Sequence, residues 1–223
     1  MSKAKREAAE AALKLLPAGG GVIGLGSGST ATLFIEGLAR LTTTGAPYVG
    51  VPTSEASRAL ATKLGIPLLE DGGPWVVDLC VDGADEITHE LVAIKGGGGC
   101  HTREKLVNHA ARRNVIIVDE SKLSKRLGER WPVPVEVLPF GHRGTAARLA
   151  KFGQAVLRHV DGTPYRTDSG NLIYDVHAGV LDRPEETHAA LKQITGVVET
   201  GIFLNLDTLL VAGDVGVRQL DAP

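Results

Sequence analysis

Two short apolar runs constrain this chain more than any other feature. Val76 to Val81 runs into Asp82-Gly83-Ala84-Asp85-Glu86, and Leu91 to Ile94 runs into Lys95 and four glycines, Gly96 to Gly99. A short apolar run bounded by turn residues is the pattern of a strand buried on both faces, and in open α/β sheets ligands bind beyond the carboxyl ends of such strands. Charge and glycine therefore stand where the chemistry of such a fold is expected.

The flanking chain repeats the alternation. A helix is expected from about Ala4 to Leu16, stopped by Pro17 and Gly19 to Gly21. Strand Val22-Ile23 enters the turn Gly24-Leu25-Gly26-Ser27-Gly28-Ser29-Thr30, and a helix follows over Ala31 to Leu41 with Leu33, Phe34, Leu38 and Leu41 on one face. Tyr48 to Val51, Ile66 to Leu69 and Val115 to Val118 read as further strands, with helices at Glu55 to Leu64 and from Glu104 to Arg113. Strands alternating with helices of about 10 to 15 residues predict an α/β fold with a doubly wound, mainly parallel sheet.

From Trp131 the pattern changes. Pro132, Pro134 and Pro139 interleave with valines, which suits an edge strand or a linker into a new sheet. A helix at Gly144 to Phe152, antiparallel strands at Ala155 to Val160 and Leu172 to Val176, a helix at Pro184 to Ile194 and a strand at Val197 to Leu204 complete the split βαβ order of a ferredoxin-like α+β domain. The apolar run Asp207 to Val217 is assigned back to the first sheet. The expected division is 1–130 with 206–223 as the larger domain and 131–205 as the smaller.

Composition narrows the partners. Over 223 residues the formal net charge is −2, with 43% hydrophobic and 22% charged residues. That balance fits a globular protein and gives no electrostatic case for nucleic acid, so small-molecule partners are expected. No apolar run approaches the about 20 residues that span a bilayer, and the charged, alanine-rich N-terminus lacks the apolar core and cleavage site of a signal peptide; a cytoplasmic protein that does not bind membrane is expected. Cys80 and Cys100 read as two reduced thiols, and neither they nor the seven histidines have metal-ligand spacing.

Three constellations carry candidate chemistry. The Gly24 to Thr30 turn sets hydroxyls and unhindered N–H groups at a helix N-terminus, where the orphan donors and the helix dipole favour a phosphate. Its Gly26-Ser27-Gly28-Ser29-Thr30-Ala31 also fits the loose dinucleotide pattern, which keeps an NAD-dependent oxidoreductase open, although the strand after it ends in Pro52-Thr53-Ser54 rather than an acidic ribose reader. Asp82, Asp85 and Glu86 fall within five residues; close carboxylates suit proton transfer among sugar hydroxyls, with a solvated turn or a Mg²⁺ site as the alternatives. Lys95 could stabilise an oxyanion with the glycine N–H groups as a nest, or open a surface loop. Glu104 would lie in the first turn of its helix with Thr102 as N-cap, where the dipole favours the carboxylate a general base needs.

Taken in order, GLGSGST, VDGADEI, IKGGGG with REK, and VDESK closely resemble type A ribose-5-phosphate isomerases over nearly the whole chain. The resemblance implies a Rossmann-like larger domain, a ferredoxin-like smaller one and a homodimer or homotetramer. It implies isomerisation of D-ribose 5-phosphate and D-ribulose 5-phosphate through an enediolate, a step of the pentose phosphate pathway, with no cofactor and no metal. By the same resemblance, Glu104, Lys95, Asp82 and Asp85 are catalytic: Glu104 accepts the proton, Lys95 stabilises the enediolate, and the aspartates assist ring opening. Ser27, Gly28, Ser29 and Thr30 hold the phosphate, Gly83, Ala84, Gly96, Gly97, Gly98 and Lys122 contact substrate, and Lys5 approaches the phosphate. A non-catalytic sugar-phosphate sensor would keep the phosphate turn without needing Glu104, Lys95 and the paired aspartates.

Overall fold

Unbroken apolar stretches make the central strands. In a computed structural model that describes residues 2–43, 45 and 47–222, β1 (Gly21–Leu25), β2 (Tyr48–Pro52), β3 (Leu79–Asp82), β6 (Asn114–Asp119), β14 (Thr208–Gly213) and β15 (Gly216–Asp221) form one six-stranded sheet in the order β15-β14-β6-β3-β1-β2. Its pairings are parallel except for the β14–β15 hairpin at one edge. The tail read as one apolar strand is therefore two strands, and both belong to the first sheet.

Helices α1 (Lys3–Leu13), α2 (Ser29–Thr43), α3 (Glu55–Lys63) and α4 (His101–Ala110) serve this sheet. Ala8, Ala9 and Ala12 of α1 and Phe34, Ile35 and Leu38 of α2 join Ile23, Leu25, Val81 and Ile117 in one core, while Val107 of α4 packs with Val51, Val77 and Cys80 in another. The expected strand at Ile66 to Leu69 is reduced to a single bridge, Leu68 to Gly50, with Gly50 N–H donating to Pro67 O at 2.7 Å. β1 has β2 on one side and β3 on the other, so strand order reverses beside β1, and the carboxyl ends of β1 and β3 flank that switch point.

The remaining strands make smaller sheets. β4 (Glu86–Ile87), β5 (Ala93–Ile94) and β13 (Ile202–Phe203) form a three-stranded antiparallel sheet, so the run ending in Lys95 belongs there and not to the parallel sheet. β7 (Val133–Val137), α5 (His142–Leu149), β8 (Gln154–Leu157), the two-residue strands β9 (His159–Val160) and β10 (Thr163–Pro164), β11 (Leu172–His177), α6 (Pro184–Lys192) and β12 (Val197–Thr200) follow. The antiparallel order β12-β7-β11-β8 is that of a ferredoxin-like sheet. β7 is an inner strand of this sheet despite Pro134. β12 stops at Thr200, so no ladder bond is asked of the missing Pro134 N–H, and the Pro134 carbonyl accepts from Gly201 N–H at 2.7 Å.

Two compact units result: residues 1–84, 103–122 and 205–223, and residues 85–102 and 123–204. Residues 85–102 and 123–130, expected in the larger domain, pack with the second unit. The chain passes between the units four times, at 84/85, 102/103, 122/123 and 204/205. No helix among the described residues is long and apolar enough to cross a membrane.

Candidate active site

In the first unit, the glycine turn and the acidic turn are tied together by one carboxylate. Asp82, 4% exposed at the end of β3, accepts on Oδ1 from Ser27 N–H at 3.0 Å and from Gly83 N–H at 2.7 Å. Gly26 N–H donates to Val81 O at 3.0 Å, and a Cβ at Gly26 would overlap the Asp82 carboxylate, so glycine is required by close approach.

The hydroxyls of this turn divide. Ser27 Oγ faces inward, 2.9 Å from Thr53 Oγ1 and 2.7 Å from Ser54 Oγ, and Thr53 also donates to Leu25 O at 3.0 Å. Ser54 in turn caps α3 through a reciprocal pair of bonds with Ser57. Ser29 is exposed at the start of α2, where its Oγ accepts from Lys5 Nζ at 2.9 Å; Gly28 beside it is exposed with φ +95°. A cation beside a helix N-terminus is disfavoured by the dipole unless an anion joins them. Lys5, the Ser29 hydroxyl and the start of α2 thus have the charge and donors that an anion would complete. The sequence does not mark Thr53 and Ser54: at the end of the second strand the pattern bears only on a ribose-binding acid, which is absent there.

Glu104 belongs to the same unit. It lies in the first turn of α4 and is 6% exposed, and the neighbouring Arg103 donates to Glu55 at 2.6 Å. Lys122 closes the short 3₁₀ turn Glu120–Lys122 that follows β6, half-buried.

The second unit holds the other candidates. Lys95, 4% exposed, follows β5 and donates its backbone N–H to Gly201 O at 2.8 Å. Its ammonium lies 5.2 Å from the ring centroid of buried Phe203, so a π face meets the charge. Phe203 is a third residue the sequence does not mark; it comes from β13, more than a hundred residues away in the chain. Asp85 accepts on Oδ2 from Gly97 N–H at 2.6 Å, so the structure brings the acidic turn and the glycine loop together here.

Three of the four glycines answer to local geometry. Gly96 and Gly99 have φ of +102° and +80°, and a Cβ at Gly97 would lie 2.7 Å from Asp85 Oδ1. Gly98 has neither a positive φ nor any atom within 4 Å of a built Cβ. Space, not backbone strain, distinguishes that position.

Thr102 is not the N-cap of α4, which begins one residue earlier. It lies within the first turn and donates to Glu136 Oε2 at 2.5 Å. Glu136, 1% exposed on β7, also accepts from Thr167 Oγ1 at 3.0 Å and Asn171 Nδ2 at 2.8 Å. These contacts satisfy a buried carboxylate without a cation, and the sequence, read there as a proline-rich connection, did not reveal it. Among the described residues no group of three or more His, Cys, Asp or Glu side chains is arranged to hold a metal ion.

Comparison with known proteins identifies the family. Residues 49–216 match the family model of ribose 5-phosphate isomerase A (phosphoriboisomerase A). A ribose-5-phosphate isomerase A from Methanococcus aeolicus is 47% identical over 197 residues, covering 86% of this chain and 84% of that protein. One from Roseiflexus castenholzii is 46% identical over 224 residues, covering 98% and 95%. The solved structure of ribose 5-phosphate isomerase A from Methanocaldococcus jannaschii superposes with a TM-score of 0.92 at 44% identity over 97% of both chains. A D-ribose-5-phosphate isomerase solved in complex with phospho-erythronic acid gives 0.93 at 36% identity, covering 99% of this chain and all of that one. The chain belongs to the ribose 5-phosphate isomerase A family.

Proposed function

We propose that this protein interconverts D-ribose 5-phosphate and D-ribulose 5-phosphate through a cis-enediolate, with Glu104 as the carbon base and Lys95 as the oxyanion partner. The observation that carries the reading is burial: Asp82, Lys95 and Glu104 are each no more than 6% exposed. Keeping ionisable groups out of water is costly even where hydrogen bonds offset part of it, and such groups cluster at functional sites.

Glu104 removes the proton from C2 of the open aldose, and the C2–H electron pair becomes the C1=C2 bond as the carbonyl pair moves to O1. Lys95 and the Gly96 and Gly98 N–H groups of the loop stabilise the O1 charge, a preorganised contribution of roughly 10²- to 10³-fold per donor, while Gly97 N–H holds Asp85. Asp82 and Asp85, with the backbone of Gly83 and Ala84 between them, assist ring opening and carry hydroxyl protons so that O1 gains a proton and O2 loses one. Glu104 then returns its proton to C1, leaving the ketone at C2. The phosphate is held by the start of α2, with Gly28, Ser29, Thr30 and Lys5 as its contacts and Ser27 as the support beneath them; Lys122 contacts the substrate as a further cation. No cofactor or metal enters these steps. The reading extends to a cytoplasmic homodimer or homotetramer, as expected of the family.

Formation of ribulose 5-phosphate from ribose 5-phosphate tests the reaction, and EDTA is expected to leave its rate unchanged. Glu104→Gln should abolish exchange of the C2 hydrogen with solvent while leaving substrate affinity within a few-fold. Unimpaired exchange in that variant removes Glu104 from the base role.

A further inference from the structure

The glycine loop is held from behind by a residue outside the motifs. Arg158 lies between β8 and β9, and its guanidinium is fixed by Asp175 of β11: Nε donates to Oδ2 at 2.9 Å and Nη2 to Oδ1 at 2.5 Å. The pair is largely buried, with side chains 14% and 19% exposed. The remaining nitrogen, Nη1, donates to the carbonyls of Gly96 at 2.7 Å and Gly97 at 3.1 Å. Gly96 O also accepts from Gly99 N–H at 2.9 Å, and Gly98 O accepts from Tyr165 OH at 3.2 Å.

These bonds fix more than the carbonyls. In a trans peptide C=O and N–H point in opposite directions, so anchoring Gly96 O directs Gly97 N–H away from Arg158, where it meets Asp85 Oδ2. Anchoring Gly97 O directs Gly98 N–H away from Arg158 in the same manner. Left-handed glycines have little intrinsic preference for one arrangement, so without the clamp the loop samples several. We propose that Arg158, locked by Asp175, is a positioning residue that sets the anion-facing N–H groups of the glycine loop and the orientation of Asp85. This deepens, and rests on, the reading of that loop as the oxyanion nest.

A guanidinium is needed because its planar fork serves the carboxylate with one edge and the carbonyls with the other; an ammonium offers no such pair of edges. Misplacing a preorganised site by about 1 Å costs on the order of 10²-fold. Arg158→Lys, Arg158→Ala and Asp175→Asn should therefore each lower kcat for ribose 5-phosphate about 10²-fold, with KM within about threefold because the phosphate contacts lie in other segments. Guanidinium chloride at low millimolar concentration should restore part of the activity of Arg158→Ala and none to Lys95→Ala.

Circular dichroism gives the folded fraction of each variant, and kcat is expressed per folded molecule. Wild-type kcat per folded molecule in Arg158→Lys and Asp175→Asn overturns the inference even if Arg158→Ala fails to fold, and so does a rise in KM alone. Lys95→Ala separates the two levels. If it loses 10²-fold or more while the Arg158 variants do not, the positioning role falls and the oxyanion reading stands. If Lys95→Ala keeps wild-type turnover, the oxyanion reading falls and takes the inference with it.

Discussion

Ser27 and Ser29 stand two positions apart in one turn and have different tasks. Ser27 is occupied on both sides, its N–H by Asp82 and its hydroxyl by Thr53 and Ser54, whereas Ser29 is exposed and its hydroxyl accepts from Lys5. Ser27→Ala leaves the hydroxyls of buried Thr53 and Ser54 each short of a partner, at about 1 kcal/mol. Its melting temperature should fall by about 2 to 4 °C, the shift of a domain this size, with KM nearly unchanged. Ser29→Ala should do the reverse: about a tenfold rise in KM, the scale of one lost hydrogen bond to a charged group, and an unchanged melting temperature. Calorimetry and steady-state kinetics on both variants check this, and equal KM effects would remove the division. The turn itself was legible in the sequence, where glycines and hydroxyls stand between a strand and a helix. Which hydroxyl turns inward was not, because that depends on Thr53 and Ser54, 26 and 27 residues on.

At the scale of elements, Gly201 shows why part of the fold stayed hidden. Val197 to Leu204 reads as one strand, yet β12 and β13 belong to different sheets, and Gly201 is the hinge: its N–H bonds Pro134 O in one and its C=O takes Lys95 N–H in the other. A glycine inside a strand pattern signals a bulge or a close approach, but not which. Here it is close approach, since a built Cβ would overlap Lys95 O and lie 2.7 Å from Pro134 Cδ. β4, β5 and β13 are two residues each, too short for periodicity to mark, whereas β6 and β14 are six-residue apolar runs that the pattern does mark. Gly201→Ala forces backbone apart at about 1 to 3 kcal/mol, the cost of overpacking, and moves the strand that aims Lys95. Its kcat per folded molecule should drop at least tenfold. A variant with reduced stability and wild-type kcat would show that the Lys95 strand is insensitive to this hinge.

For the molecule as a whole, the decisive feature is that a strand from the end of the sequence, β14, lies inside the sheet. β14 lies inside the six-stranded sheet, parallel to β6, and buries Leu209, Leu210 and Val211 to 2% exposure or less; β15 covers its outer edge and is mostly half-buried or exposed. Fully burying a side chain of that kind contributes about 1.5 to 3 kcal/mol. The three residues together therefore match much of the roughly 5 to 15 kcal/mol that separates folded from unfolded proteins. The first unit is also assembled from three segments, so it is incomplete until the tail has joined β6. Deleting 205–223 should abolish cooperative folding and leave β6 as an open apolar edge, with insoluble protein as the result. Deleting only 215–223 removes the edge strand and should leave a soluble protein that melts at a lower temperature and aggregates more readily through β14. Soluble expression and thermal melts by circular dichroism separate the two truncations. A soluble, cooperatively melting chain without 205–223 would mean that β6 finds its cover elsewhere and that the tail is an accessory to the sheet.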